Sequence, residues 1–422
     1  MYMKVVHLSL SDSGGAGLAA LRINKALRSI GVDSRMLVAD KSSKDDSVVQ
    51  IKEKTINTYI VPQNKVLKRV KKFLRNRGHF LTEIEKDAAI INTIPSQKRT
   101  FFTSPISCYD LRFHPVIEEA DIIHLHWVEG FVDYRTFFPY IRDVGKPIVW
   151  TYHDENIGFG GFHYQRERDR YYEYYKDLED KYCSIKQDAL LAPNNITMVS
   201  LSKEMDAFCH KKSFVSQRQS VIVPNAVDYN RYAILDKTFA KQALKISPDK
   251  TVLSFCAYEM SEPRKGLAEL LDALERLNIP NLVLLCIGGG NMPRKTSVEV
   301  YRAGYVTNED FLSLMYSASD VFVMPSFQEA FAQTPMEALS CGVPVVAFPV
   351  SGTDALLNEK NGVRCADFTV ESLMSSLKKV LNTKYDSQSI RDDVIERFAP
   401  EVIARKYKDV YDEVINSHSK QK

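Results

Sequence analysis

Asp320-Val-Phe-Val-Met324, then Pro325-Ser-Phe-Gln-Glu-Ala-Phe-Ala-Gln-Thr334, then Pro335-Met-Glu-Ala-Leu-Ser-Cys-Gly-Val-Pro-Val-Val-Ala-Phe348 read as strand, loop, helix and strand. The short apolar run stops at a proline, and a second apolar run resumes at Pro344. Between them the spacing predicts a helix with Thr334 as N-cap, Pro335 at the first helical position and Gly342 just past its end. Glu337 stands three residues after that cap, so a capping box accounts for it. Glu329 has no such account. It lies at the carboxyl end of a strand, where open α/β sheets bind ligands. The turn Phe331, Ala332, Gln333, Thr334 and Pro335 precedes a helix, whose unpaired amides and positive dipole end suit a diphosphate.

Outward from this unit the same alternation recurs. Lys4-Val-Val-His-Leu-Ser-Leu10 leads into Gly14-Gly-Ala-Gly17 and a helical pattern at Leu18, Leu21, Ile23 and Leu27. Ala120 to Trp127, Pro147 to His153 and Ile196 to Ser200 follow as further short strands. A second series comprises Thr251 to Cys256, a helix over Leu267 to Leu277, and strands at Leu282 to Ile287, Asp320 to Met324 and Pro344 to Phe348. Repetition of this kind predicts an α/β chain with two doubly wound parallel sheets in tandem. The expected division is residues 1–225, residues 226–395, and a C-terminal helix in 396–422 that packs back on the first domain, with a frayed tail from Ser417.

Composition narrows the classes. With 422 residues and about 150 per domain, two to three domains are expected. Hydrophobic residues at 45% exclude wholesale disorder, and a net charge of +3 excludes a globally basic polyanion binder. The seven cysteines are scattered, without metal or disulfide spacing, and read as reduced thiols. No apolar run reaches membrane-spanning length and the start lacks a signal-peptide pattern, so a cytoplasmic protein is expected.

Residues 51–105 break the rhythm and form an expected basic insertion. Within it, Asn64-Lys-Val-Leu-Lys-Arg-Val-Lys-Lys-Phe-Leu-Arg-Asn-Arg77 carries seven basic side chains and no acid. Val66, Leu67, Val70, Phe73 and Leu74 recur at helix spacing. Either the apolar side packs on the domain, or the helix is a candidate contact for an anionic membrane surface, at the cytoplasmic face.

Glu329 and Glu337, eight apart within Glu-Ala-Phe-Ala-Gln-Thr…Glu-Ala-Leu…Cys-Gly-Val-Pro-Val-Val-Ala-Phe, resemble the donor-site signature of retaining GT-B glycosyltransferases of family 4, among them bacterial colanic-acid and exopolysaccharide enzymes. The resemblance implies two Rossmann-like domains facing a cleft: an N-terminal acceptor domain and a C-terminal nucleotide-sugar domain. It implies that Glu329 contacts hydroxyls of the transferred sugar and Glu337 the ribose. Arg264-Lys-Gly-Leu-Ala-Glu-Leu-Leu-Asp-Ala-Leu274 resembles a stretch whose lysine binds the donor diphosphate, which points to Lys265, with Arg264 beside it. Ala332 stands where the family usually has a glycine. Gly15 and Gly17 resemble its first glycine loop, and Gly304-Tyr-Val306 with Asp320 resembles the stretch that reads the nucleobase, so Tyr305 and Val306 are expected there.

Trp150-Thr-Tyr-His-Asp154 with Gly160-Gly-Phe-His-Tyr164 is similar to a block of the colanic-acid-type enzymes, with Phe162 where a cysteine is usual. His153 is then the sugar-side hydrogen-bonding group and Asp154 its acceptor-side neighbour. His124 and His126 share one strand face and are expected in the core. By the same resemblance Ser351-Gly-Thr353 takes the place of the family's Gly-Gly turn beside the donor, and Asn225, in Pro-Asn-Ala-Val-Asp228, resembles its linker motif and is expected as a hinge turn, not a catalyst.

The implied reaction is retaining transfer of a sugar from a UDP or GDP sugar to a glycan or lipid-linked acceptor, without cofactor or metal, since Arg264 and Lys265 supply the cations that the departing diphosphate needs. Two rivals are a non-catalytic subunit of the same fold that binds sugar nucleotide or glycan, and a nicotinamide oxidoreductase, for which Gly15-Ala-Gly17 is an incomplete fingerprint.

Overall fold

The computed structural model describes residues 3–58, 64–75, 80–191, 195–211 and 216–419. Its strands are β1 Lys4–Ser11, β2 Asp33–Asp40, β3 Val48–Gln50, β4 Ile122–Leu125, β5 Ile148–Thr151, β6 Ile196–Ser200, β7 Ser220–Ile222, β8 Thr251–Glu259, β9 Leu282–Gly289, β10 Glu299–Gly304, β11 Val321–Met324, β12 Val345–Ala347 and β13 Gly362–Arg364. They form two sheets, ordered β3-β2-β1-β4-β5-β6-β7 and β10-β9-β8-β11-β12-β13, and every pairing is parallel. Parallel strands need crossover helices that cover both faces, which is why Ile122 to Leu125 and Val321 to Met324 are buried without a break.

The chain divides into two compact units: residues 1–200, 206–222 and 407–422, and residues 201–205 and 223–406. The C-terminal helix Pro400–Ser419 runs through the last boundary, at 406/407, its Tyr407 to Ser419 portion belonging to the first unit. Residues 420–422 of the expected tail lie outside the described residues. In each sheet the order reverses once, between β1 and β4 and between β8 and β11, and ligands of open α/β sheets bind beyond the carboxyl ends at such reversals.

In the second unit, helix Leu267–Leu277 buries Leu267, Leu270, Leu271 and Leu274, the one-face spacing of 3.6 residues per turn, against Leu253, Phe255 and Leu284 of the sheet. In the first unit, helix Gly14–Ser29 lies close on β1: a Cβ at Gly17 would stand 2.4 Å from the Ser11 carbonyl oxygen. The glycines expected in a loop therefore form the first turn of that helix, and Gly17 is required by packing.

The basic segment is helical over Lys65–Arg75; Arg77 lies outside the described residues. Val66, Leu67, Val70 and Phe73 are 69%, 53%, 49% and 54% exposed, so the apolar side is not buried against the domain. Arg75 pairs with Glu85 on the following helix, Glu83–Thr93. Among the described residues no helix is long and apolar enough to cross a membrane, and all seven cysteines are free.

Candidate functional site

In the second unit the loops after β8 and β11 are joined backbone to backbone. Gly266 adopts φ +72°, and a Cβ there would stand 1.9 Å from the Pro325 carbonyl oxygen, so only glycine admits this approach. The Phe327 amide donates to the Arg264 carbonyl at 2.8 Å. The short turn Pro263–Lys265 thereby sets both cations beside the β11 loop. The Lys265 ammonium stands 2.6 Å from Glu329 Oε1. Arg264 donates to the Gln328 carbonyl at 2.8 Å and to Glu262 at 2.7 Å, and lies 3.7 Å from Glu329. Burial pushes the Glu329 carboxyl upward, but Lys265 and Arg264 outweigh it and hold the group below the usual carboxylate range.

The helix after this loop begins two residues earlier than its sequence predicts. It spans Gln333–Ser340 with Ala332 as N-cap at φ −67°, ψ 136°, and no side chain caps it. Thr334 is thus inside the helix, and Pro335 falls at the third position, where its missing N–H breaks no intrahelical bond. With its φ negative, the backbone conformation of Ala332 does not call for glycine. The capping box does not form. Glu337 is buried at 5% exposure and accepts from the Tyr316 hydroxyl at 3.3 Å; burial drives that phenol well above its ordinary range.

Polar contacts hold the turn. Asn225, expected as a hinge residue, is buried and donates to the Phe331 carbonyl at 3.0 Å. The Ser351 hydroxyl donates to the Ala330 carbonyl at 2.9 Å and meets Ser202 at 2.6 Å. The Phe331 ring covers Gly352, where a Cβ would come within 2.5 Å of it. Tyr305 is 60% exposed and meets Tyr258 edge to face at 5.2 Å, with Val306 half-buried beside it. Asp320 takes a different place from the nucleobase stretch it was expected to join: it accepts from the Val252 amide and pairs with Lys237 and Lys241, which ties the start of β8.

In the first unit, β4 and β5 end at a histidine-rich site. His7 faces His124 in register, and His126 and Thr151 fall on the same face. His124 bonds the Tyr411 hydroxyl at 2.7 Å and Thr151 at 2.8 Å, and Thr151 meets the Tyr407 hydroxyl at 3.0 Å. His124 is therefore a core residue. His126 is buried too, but its Nδ1 lies 3.0 Å from Nε2 of half-buried His153. Burial lowers the His153 imidazole to about 4, against a smaller opposite effect of Asp154.

Asp154 accepts from the Trp127 indole at 3.1 Å and from the Asn156 amide at 2.9 Å, and meets His163 at 2.7 Å. Burial raises its carboxyl, and these partners together hold it below the usual range. Gly160 and Gly161 donate to the buried Glu179 carboxylate at 3.0 and 2.7 Å. Phe162 packs edge-on to Phe102 and Tyr175 in an aromatic core. The structure thus gathers Lys265, Arg264 and Glu329 in one cluster of the second unit. His153 and Asp154 belong to the first, as do Gly15 and Gly17. The roles of His7, Trp127, Asn225 and His163 were not read from their motifs, since each depends on partners distant in sequence.

The whole chain is similar to a sucrose-phosphate synthase from Thermosynechococcus elongatus, with a TM-score of 0.64 at 16% identity over 99% of this chain and 100% of that one. It is also similar to Anabaena HepE solved in complex with UDP-glucose, with a TM-score of 0.62 at 15% identity over 98% and 100%. Two parallel-sheet Rossmann-like units of this likeness define the GT-B fold. Residues 250–383 match the model of the family "Glycosyl transferases group 1".

Among curated proteins, a D-inositol 3-phosphate glycosyltransferase of Geodermatophilus obscurus is 31% identical over 154 residues, 32% of this chain and 34% of its own length. An Escherichia coli UDP-Gal:alpha-D-GlcNAc-diphosphoundecaprenol alpha-1,3-galactosyltransferase is 24% identical over 237 residues, 52% of this chain and 61% of its own length. The chain thus spans about a third to three fifths of these relatives. The likeness to group 1 glycosyl transferases centres on the unit that carries Lys265 and Glu329.

Proposed function

We propose that this chain is a retaining glycosyltransferase that moves a sugar from a UDP or GDP sugar to a glycan or lipid-linked acceptor in bacterial surface polysaccharide synthesis. The observation that carries this reading is the cluster of Lys265, Arg264 and Glu329 at the reversal of strand order, on loops joined by Gly266 and followed by the Gln333–Ser340 helix. Fixed cations and a helix N-terminus suit a leaving diphosphate, whose charge grows as the sugar bond breaks. Lys265 and Arg264 take the diphosphate without a metal ion, Glu329 holds hydroxyls of the departing sugar, and Glu337 the ribose. Phe331, Ala332, Gln333 and Thr334 line the phosphates with backbone groups; Tyr305 and Val306 meet the base. Gly15, Gly17 and His153 are assigned to the donor, and Asp154 to the acceptor. The acceptor hydroxyl attacks from the face the diphosphate leaves, and the departing phosphate oxygen takes its proton.

Membrane association belongs to the same reading. Exposed Val66, Leu67 and Val70 beside Lys68, Arg69 and Lys72 suit the anionic inner face where a lipid-linked acceptor resides.

The deciding experiment incubates the full chain with UDP- and GDP-sugars, lipid-linked glycan acceptors and a chelator, and follows sugar transfer and the anomeric configuration of the product by NMR. Transfer with retention is expected. Nucleotide binding without transfer to any acceptor would instead favour a non-catalytic subunit, and inversion would remove the retaining assignment.

A further inference from the structure

Three imidazoles form a continuous chain in the first unit. His7 Nδ1 lies 2.8 Å from His126 Nε2, and His126 Nδ1 lies 3.0 Å from His153 Nε2. The rings of His126 and His153 stack with centroids 5.3 Å apart, and those of His7 and His126 at 5.1 Å. His7 is fully buried and His126 is 2% exposed. Burial lowers His7 to about 3 and His126 well below its ordinary value, so each ring holds a single proton near neutrality.

One proton per ring forces a direction on the chain. A neutral imidazole donates from one nitrogen and accepts at the other, so His126 receives from one neighbour and gives to the other. Two orders satisfy both contacts. If protons point from His153 toward His7, the last one resides on His7 Nε2, which is buried and has no hydrogen-bond partner. If they point from His7 toward His153, that same atom is a bare lone pair. A buried orphan N–H is the rarer and costlier of the two. The second order leaves the His153 proton on Nδ1.

We propose that His126, backed by His7, is a positioning residue that fixes the His153 ring in its Nδ1–H tautomer, so that His153 meets a sugar hydroxyl as a hydrogen-bond donor. The sugar-side role of His153 rests on the function proposed above; the tautomer does not. His126 touches no substrate in this scheme. It acts by engaging Nε2, and the strand register that places His7 opposite His124 supplies its support.

The test is histidine-selective 15N NMR on the full chain at neutral pH, with His153→Gln to assign the signal, alongside transfer kinetics. Wild type should show His153 protonated on Nδ1. His126→Phe keeps a ring and removes both nitrogens; His153 should then populate both tautomers. Turnover should fall about ten- to a hundredfold, while the donor KM moves less than about threefold. His126→Asn, whose carboxamide nitrogen stands near the former Nδ1, should restore the tautomer and most of the rate. His7→Phe, one ring further back, should also erode the preference and covers a failure of the first variant to fold. An Nε2–H tautomer in wild type, or an unchanged His153 signal in the folded variants, would overturn the proposal. A wild type with the expected tautomer and no sugar transfer would leave this inference standing and remove the proposed reaction.

Discussion

The Lys265 ammonium and the Glu329 carboxylate are 64 residues apart in sequence and 2.6 Å apart in space, on loops from adjacent strands β8 and β11. In this half-buried setting the carboxylate stays ionised because of the cations, and the ion pair holds the lysine where an anionic ligand would meet it.

Removing the two partners should have opposite effects on nucleotide binding. Lys265→Ala should lower kcat/KM about a hundredfold or more, the usual consequence of losing a fixed donor to developing charge. Glu329→Gln should depress transfer comparably, yet leave UDP affinity unchanged or tighter, because the cations lose their internal counter-charge. Titration calorimetry beside initial rates separates the two. Equal loss of UDP binding in both variants would argue against a diphosphate at Lys265.

Gly266→Ala should destabilise the second unit by about 3 kcal/mol or more, since a left-handed conformation is combined with a clash against the Pro325 carbonyl. Urea unfolding read at this unit checks it. A variant with wild-type stability would mean that the two loops are not held as close as described.

Acid should weaken the first unit through His7. Its folded-state value of about 3 lies below the ordinary 6.5, so its contribution is complete above about pH 6.5 and is lost as pH falls toward 3. Between pH 7.5 and 5.5 this residue alone should cost about 1.4 kcal/mol, the unfolded chain taking up a proton the folded chain refuses. His124, His126 and His153 are lowered in the same direction. Denaturant midpoints at the two pH values, in wild type and His7→Leu, measure the term; identical slopes in the two proteins would refute it.

Charge reversal at Lys68, Arg69, Lys71 and Lys72 should abolish binding to vesicles containing anionic lipid, with each basic residue near such a surface contributing about 1 kcal/mol. Binding to neutral vesicles should be weak for both proteins. Unaltered sedimentation with anionic vesicles would assign this helix another role.

Much of this was legible in the chain. Short apolar runs separated by helical patterns specify parallel α/β units, because buried parallel strands need apolar residues on both faces. Glu299 to Gly304 escaped notice as strand β10: at the sheet edge its side chains are exposed in part and no unbroken apolar run marks it. The first helical residue of Gln333–Ser340 was misread for a local reason. Thr334, Pro335 and Glu337 make a good capping sequence, but burial of Glu337 against Tyr316 outweighs it. The basic helix was visible as amphipathic, while the exposure of its apolar side was not.

Local patterning along the chain determined the two doubly wound units and the positions of Lys265, Glu329 and His153 at strand ends, since hydrophobic period and glycine placement act over a few residues. Tertiary structure alone decided that Arg264 and Lys265 converge on Glu329, that Asn225 holds the Phe331 carbonyl, and that His7 and His126 stand behind His153. Those contacts join residues 27 to 119 positions apart, and which ones meet is set by sheet order and register, which no short stretch of sequence encodes.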